Sequence, residues 1–199
     1  LEPLLDYSDA PTTSTSYLDA VHEVISGVQL GAAIDTDSGP LGNSDATGDG
    51  VDDDGITIPS LSQSVTASFT AAVSGASGYL QGWIDWNGDG DFADSGEQIV
   101  TDLRDDGAAD DVASGDGVIQ FNVAVPASTT TNQTFARFRW SNSSSLNSAE
   151  PANSGEVEGY AVTIVGNPLS VTSTADTDTV GTLRYAIAHA NANADDDAI

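Results

Sequence analysis

Residues 85–97 read DWNGDGDFADSGE, and the oxygen-bearing side chains fall at alternate positions, Asp85, Asn87, Asp89 and Asp91, with Glu97 closing the stretch. These residue types share one chemistry. Carboxylates and amide carbonyls are hard oxygen donors, and six to eight such oxygens surround a calcium ion. Gly88 and Gly90 permit the tight turn that would bring the donors to one centre. Two carboxylates ~4 Å apart repel by about 4 kcal/mol at an effective dielectric of 20, so several converge only around a cation. The competing reading is a solvated acidic turn whose aspartates serve solubility and turn chemistry.

The run opens as D-x-[DN]-x-D-G, the start of an EF-hand loop. Its end departs from that pattern, because the twelfth position is Gly96 and the glutamate comes one later, at Glu97. The segment before it, GYLQGWI, is strand-like, so the expectation is a calcium loop on a β scaffold and not an EF-hand pair. A second acidic stretch, SDATGDGVDDDGI, offers Asp45, Thr47, Asp49, Asp52, Asp53 and Asp54 at looser spacing. A block of like charge is often only a solvated loop. In SGEVEGY, Glu156 and Glu158 fall on one side of a starting strand and point jointly at one region.

Composition supports a cation partner. Thirty-one Asp and Glu face four basic residues, Arg104, Arg137, Arg139 and Arg184, for a formal net charge of −27. A charge of that size repels nucleic acid and anionic membrane, and it opposes the compact state unless salt or bound cations offset it. With no cysteine, neither disulfides nor thiolate zinc can hold the fold. Calcium is the expected cofactor and cross-link. Hydrophobic residues are 39% of the chain, enough to bury a core. No signal peptide is read, and no apolar run approaches the ~20 residues of a membrane span, so direct membrane insertion is not expected.

The scaffold that must position these acids is written with period two. SVTASFTAAV alternates Val65, Ala67, Phe69, Ala71 and Val73 against small or polar neighbours, and GVIQFNVAVP does so with Ile119, Phe121, Val123 and Val125. TFARFRWS places Phe138 and Trp140 on one face and Arg137 and Arg139 on the other, and VEGYAVTIV offers Tyr160, Val162 and Ile164. The first sixty residues read as loop-rich. Between residues 56 and 165 no helical period interrupts the strands, so a mixed α/β domain lacks its crossover helices. The expected fold is all-β, an antiparallel β-sandwich over residues 1–165 with calcium-binding loops, followed by a short strand–helix segment over 166–199.

Other functions find less support. His22 and His189 lie in no H-E-x-x-H pattern and read as surface or cap residues, and SGASGY lacks the spacing of a nucleophile elbow. With so many acids, a pair at glycosidase separation is uninformative. No enzyme is expected. Glycan binding is the stronger rival: Trp83, opposite Leu80 and Ile84 in the alternation, and Trp86 are candidate sugar-stacking platforms, with Tyr79 and Trp140 nearby. A third reading is a filament subunit that meets neighbouring copies of itself through an edge strand or the trailing segment.

Together the acidic segments resemble the GEVED domain family. The resemblance rests on DYSDAP at 6–11, GDGVDDDGI at 48–56, WIDWNGDGDF at 83–92, ARFR at 136–139 and GEVEGY at 155–160. It covers roughly residues 6–165 and implies an all-β, non-catalytic module of secreted or cell-surface bacterial proteins, with adhesive or structural roles and an extracellular location. Gly159 stands where the family motif has an acid, and Ser8 where it has glycine, so the resemblance carries a role only to Glu156 and Glu158 of that motif. Residues 167–199 resemble the N-terminal cap of right-handed parallel β-helix repeats, with Leu183, Ile187 and Ala190 on one helical face and Thr182 as its cap.

Overall fold

A computed structural model describes residues 2–11, 16–75, 77–108 and 111–192. The period-two segments are strands. β6 (Thr66–Ser74) buries every second residue and pairs antiparallel with β9 (Val118–Ala124), setting Phe69 opposite Phe121. The other edge of β6 is shared by two short strands: β3 (Gln29–Leu30) puts Leu30 beside Val73, and β4 (Ile56–Thr57) puts Ile56 beside Ala71.

A second sheet runs in the order β5 (Leu61–Ser62), β11 (Glu156–Val165), β10 (Gln133–Ser141), β7 (Tyr79–Ile84), β8 (Gln98–Leu103). Its pairings are antiparallel except the short β5–β11 contact, which is parallel. The expected all-β class therefore holds, and the β5–β11 pair, with isolated parallel bridges at His22–Ala152 and Ser173–Thr182, departs from the antiparallel expectation. Among the described residues one helix, α1 (Leu183–Ala192), follows the strands.

Both sheets send side chains into one apolar cluster. Phe69 and Phe121 of the first stack at 5.3 Å between ring centroids, and Phe138 of the second lies 6.2 and 6.4 Å from them. Each such ring contributes about 1.5–3 kcal/mol through burial. Trp140 is fully buried beside them, and its Nε1–H donates to the Ser74 carbonyl at 2.6 Å. Its ring lies against the backbone before β7, where a Cβ on Gly78 would meet it at 2.1 Å. Only glycine fits there.

The opposite face of the second sheet carries Arg137 and Arg139, and both guanidinium groups are completely buried. The N-terminal residues cover them. β1 (Leu5–Tyr7) and β2 (Val21–Glu23) pair with each other, and Ala10 and Tyr17 pack with Trp83, Phe92 and Phe135. Arg137 donates to Ser8 Oγ at 3.1 Å and to the carbonyls of Leu18 at 2.7 Å, Ser148 at 2.6 Å and Tyr17 at 3.3 Å. Arg139 donates to His22 Nε2 at 2.9 Å and to the Asn147 and Glu150 carbonyls, both at 2.5 Å.

This cover corrects two expectations. His22 is neither a surface nor a cap residue: it is fully buried, its Nδ1 lies 2.8 Å from the Ser154 carbonyl, and burial and the Arg139 charge push its pKa well down. Trp83 is only 3% and Trp86 only 6% exposed, so neither offers a face to a sugar. The alternation does place Trp83 opposite the core, but a second layer buries that side as well.

At the C-terminal side, the Tyr185 N–H donates to Thr182 Oγ1 at 3.2 Å, the expected helix cap. Of the helix residues, Ala186 is buried whereas Leu183 and Ile187 remain 58% and 46% exposed.

Candidate metal centre

The loop from Asp85 to Glu97 joins β7 to β8, so both of its ends are fixed by a ladder. Asp85 is fully buried; Oδ1 accepts the Gly88 N–H at 2.6 Å, and Oδ2 accepts the Gly90 N–H at 3.0 Å and the Tyr17 hydroxyl at 2.5 Å. Gly88 and Gly90 adopt φ of 75° and 98°, the left-handed conformation that turns these two N–H groups inward. At the other end, Glu97 Oε1 accepts the Trp86 N–H and Oε2 the Asp94 N–H, each at 3.1 Å. Trp86 Nε1–H donates to the Gly96 carbonyl at 3.0 Å, so the tryptophan anchors the loop.

This frame brings Asp85, Asp89 and Glu97 together, one oxygen of each within 4.8 Å of the others. Ca–O bonds of about 2.3–2.6 Å allow two ligands of one ion to stand up to about 5 Å apart, so the spacing fits calcium. Glu97, one position beyond the EF-hand register, is a member of the group. Asn87 is tied to its neighbours, its Nδ2 donating to Asp89 at 3.1 Å and to Asp94 at 2.6 Å. Asp91 instead accepts the Ala93 N–H at 2.8 Å, a turn contact. Burial, with the Asp85 and Asp94 charges adding, raises the Glu97 pKa to about 7. Tyr17 and Asp94 are the participants that spacing alone did not reveal.

The second acidic stretch is divided by the structure. Asp49 joins Asp6 and Asp37 in one three-carboxylate group and Asp35 and Asp52 in another. Asp45 is exposed and belongs to neither. Asp54 accepts the Ala32 N–H at 2.9 Å, and Asp53 accepts the Gly159 N–H at 3.0 Å. Glu156 Oε2 accepts the Leu30 N–H at 2.6 Å, and Glu158 accepts from Gly55 at 2.7 Å, Asp54 at 3.0 Å and the Tyr160 hydroxyl at 2.9 Å. Asp53, Glu156 and Glu158 tie loops to β11, while the Asp54 carboxylate ties one loop to another.

Asp6, Asp9, Asp35 and Asp37 complete the region; none was among the expected ligands, although Asp6 and Asp9 lie in the DYSDAP motif. Asp6 accepts the Val157 N–H at 2.7 Å, and Asp37 the Tyr7 N–H at 2.8 Å. Asp9 is buried against Gly159, where an added Cβ would lie 2.2 Å from its Oδ1. Glycine at 159 thus makes room for the Asp9 carboxylate. Burial, then the charges of Asp37, Asp52 and Asp9, raises the Asp49 pKa to about 7. Burial raises Glu156 to about 10, with Glu158 and Asp6 adding, and Glu158 to about 8 despite its donors. No arginine answers this charge directly: among the described residues the one salt bridge joins Arg184 to Asp176.

Residues 79–163 match the family model of the GEVED domain. The match contains the Asp85–Glu97 loop, Arg137, Arg139, Glu156 and Glu158, while Asp6, Asp35, Asp37, Asp49 and Asp52 precede it. No curated protein matches the chain. Among solved structures, a protein of Corynebacterium diphtheriae described as membrane anchored is similar at 17% identity and a TM-score of 0.34, over 62% of this chain and 23% of that one. This chain therefore spans less than a quarter of that protein's length. Among the described residues, no helix is long and apolar enough to cross a membrane.

Proposed function

We propose that this chain is a calcium-stabilised, non-enzymatic β-sandwich module of an extracellular surface or matrix protein, acting in adhesion or self-assembly. The observation that carries the reading is the Asp85, Asp89 and Glu97 triad, whose oxygens lie within 4.8 Å of one another on a loop held at both ends by strands. Asp85, Asp89 and Glu97, with Asn87 beside them, would hold the ion; calcium there would cancel the repulsion among the three carboxylates and fix the turn between β7 and β8. The match of residues 79–163 to the GEVED domain supports a surface or extracellular location. Residues 166–199 form the contact to a neighbouring molecule, a role supported by exposed Val171, Val180, Leu183 and Ile187.

The test is a thermal melt of the wild type and of Asp89→Asn, each with calcium and with chelator. An ion at 100 times its Kd stabilises by about 2.7 kcal/mol. For a chain of this size, ~2–4 °C per kcal/mol makes that a rise of roughly 5–10 °C for a single site. The wild type is expected to rise by at least this much, and Asp89→Asn by less. Identical melts of the wild type in calcium and chelator would refute the reading.

A further inference from the structure

An open strand edge is a template for another chain, and folded proteins blunt their edges with short strands, bulges, proline or charge. Among the described residues, β1 to β5 are two or three residues long. β8 meets β7 through register shifts and carries Asp102 in the left-handed conformation, at φ 52°. Along β11, Asp6 and Asp53 accept the N–H groups of Val157 and Gly159 at 2.7 and 3.0 Å. β9 has none of these devices. Its seven residues, VIQFNVA, run in unbroken register beside β6 without a charge or a proline.

The flanking hydrogen bonds fix which groups of β9 face outward. Val73 N–H donates to the Gly117 carbonyl at 2.8 Å, and Val125 N–H to the Val65 carbonyl at 3.1 Å, so the odd-numbered residues bond to β6. The N–H and C=O groups of Gln120, Asn122 and Ala124 therefore point away from the sheet. Val118 N–H, in the same phase, is taken by Asp116 Oδ1 at 2.9 Å. Among the described residues no strand or loop takes up the backbone of the other three, and their side chains are exposed.

We propose that residues 169–175 of a second copy of this chain add as a strand along β9. That segment, LSVTSTA, is exposed throughout and uncharged. It is held on one side only, where Thr172 and Ser173 N–H donate to the Gly181 carbonyl at 2.8 Å and Ser173 bridges Thr182. Leu169 and Val171, both exposed, stand at alternate positions, so on an edge they would fall on one face and extend the apolar row of Ile119, Phe121 and Val123. Charge supports this occupant: at a net charge of −27 two copies repel over most of their surfaces, and here an uncharged segment meets an uncharged edge of equal length. Main-chain bonds would supply the affinity, as in strand addition generally. Each molecule both gives and receives, so the contact is head-to-tail and propagates into a filament unless its rotation closes a ring. The inference rests on the reading that the trailing segment contacts a neighbouring molecule, and adds the surface that receives it.

The experiment is sedimentation velocity over a concentration series in calcium, on the full chain as wild type, as Gln120→Pro, as Val171→Asp, and as a mixture of the two variants. Proline at 120 removes an N–H that points away from β6 and so spares the β6 ladder; aspartate at 171 puts charge into the donor. Wild type is expected to associate as concentration rises, and each variant alone about tenfold more weakly or worse. The mixture is expected to form one-to-one pairs, because Gln120→Pro still offers the donor and Val171→Asp the open edge. Should Gln120→Pro lose the wild-type circular dichroism, Gln120→Lys takes its place and puts a charge on the exposed edge. Wild-type association by the residue 120 variant overturns β9 as the receiving edge; if Val171→Asp is weakened all the same, the trailing segment still makes a contact, at another surface. Wild-type association by Val171→Asp overturns the donor, and a mixture that does not pair overturns the head-to-tail contact. A wild type that stays monomeric overturns both this inference and the reading beneath it.

Discussion

Replacing Arg137 by methionine isolates the bond between the N-terminal cover and the sheet. Methionine keeps the apolar stem and most of the volume, so the cavity contribution is small. The guanidinium disappears, and with it the donors to Ser8 Oγ, Tyr17 O, Leu18 O and Ser148 O. Solvent can reach the Leu18 and Ser148 acceptors once the cover loosens, which leaves the two more deeply buried ones, at Ser8 and Tyr17, unsatisfied. Each such group costs about 1–3 kcal/mol. One effect opposes this: burial holds the guanidinium pKa down to about 9, and removing a strained cation relieves that strain. The net expectation is a loss of about 3 kcal/mol, or roughly 6–12 °C in Tm at ~2–4 °C per kcal/mol. Urea unfolding gives the energy, and amide hydrogen exchange should show faster opening of residues 16–20 than of β6. A variant as stable as wild type, with unchanged exchange over 16–20, would refute the claim that the buried arginine fastens the cover.

Two further outcomes are expected. In chelator, the melting temperature should fall as pH rises from 6.5 to 8.5: Asp49 and Glu97, raised to about 7, and Glu158, raised to about 8, bind protons in the folded state that the unfolded chain has already released, so their stabilisation is lost as pH climbs through those values. His22, whose pKa is pushed down, acts in the opposite sense but only below about 6.5, and saturating calcium should flatten the slope; a melt that rises with pH in chelator would contradict this. Deleting residues 166–199 should abolish concentration-dependent association in sedimentation velocity while leaving the calcium-dependent melt of the rest intact; unchanged association would remove the trailing segment from the contact.

The strands that sequence reveals are those with one side on the shared core, because half-burial writes itself as alternation, as in β6 and β9. β8 was not anticipated: QIVTDL carries no regular alternation, and its pairing with β7 is interrupted by register shifts. The loop triad was legible because its donors lie in one continuous run, and only the one-residue shift of Glu97 had to be tolerated. The second group was half legible. Asp49 and Asp52 sit in a visible acidic run, but Asp6 reaches them through a pairing with residues 21–23 and a hydrogen bond to Val157, contacts that local spacing does not encode. The same long-range cover hides Trp83, which local alternation places on an open face.

The carboxylates of the β11 edge show why ion supply and folding are linked on the calcium reading. The N–H groups of Val157 and Gly159 project from a strand edge where β5 no longer pairs, and a bare edge of this kind is a template for pairing with another chain. Asp6 and Asp53 accept those two donors, so charge closes the edge in place of a strand. Each accepted N–H favours the ionised acid, yet burial and neighbouring charge still leave Asp6 and Asp53 with raised pKa values. Hydrogen bonding alone is therefore the weaker side of the balance, and a proton or a cation would relieve the remaining cost of the buried charge. Calcium reverses the sign of the neighbouring charge without removing any acceptor. A chain with net charge −27 that closes its own sheet edge with aspartates would thus complete its fold where calcium is abundant, as it is outside the cell, and would hold the N-terminal cover least firmly where calcium is scarce.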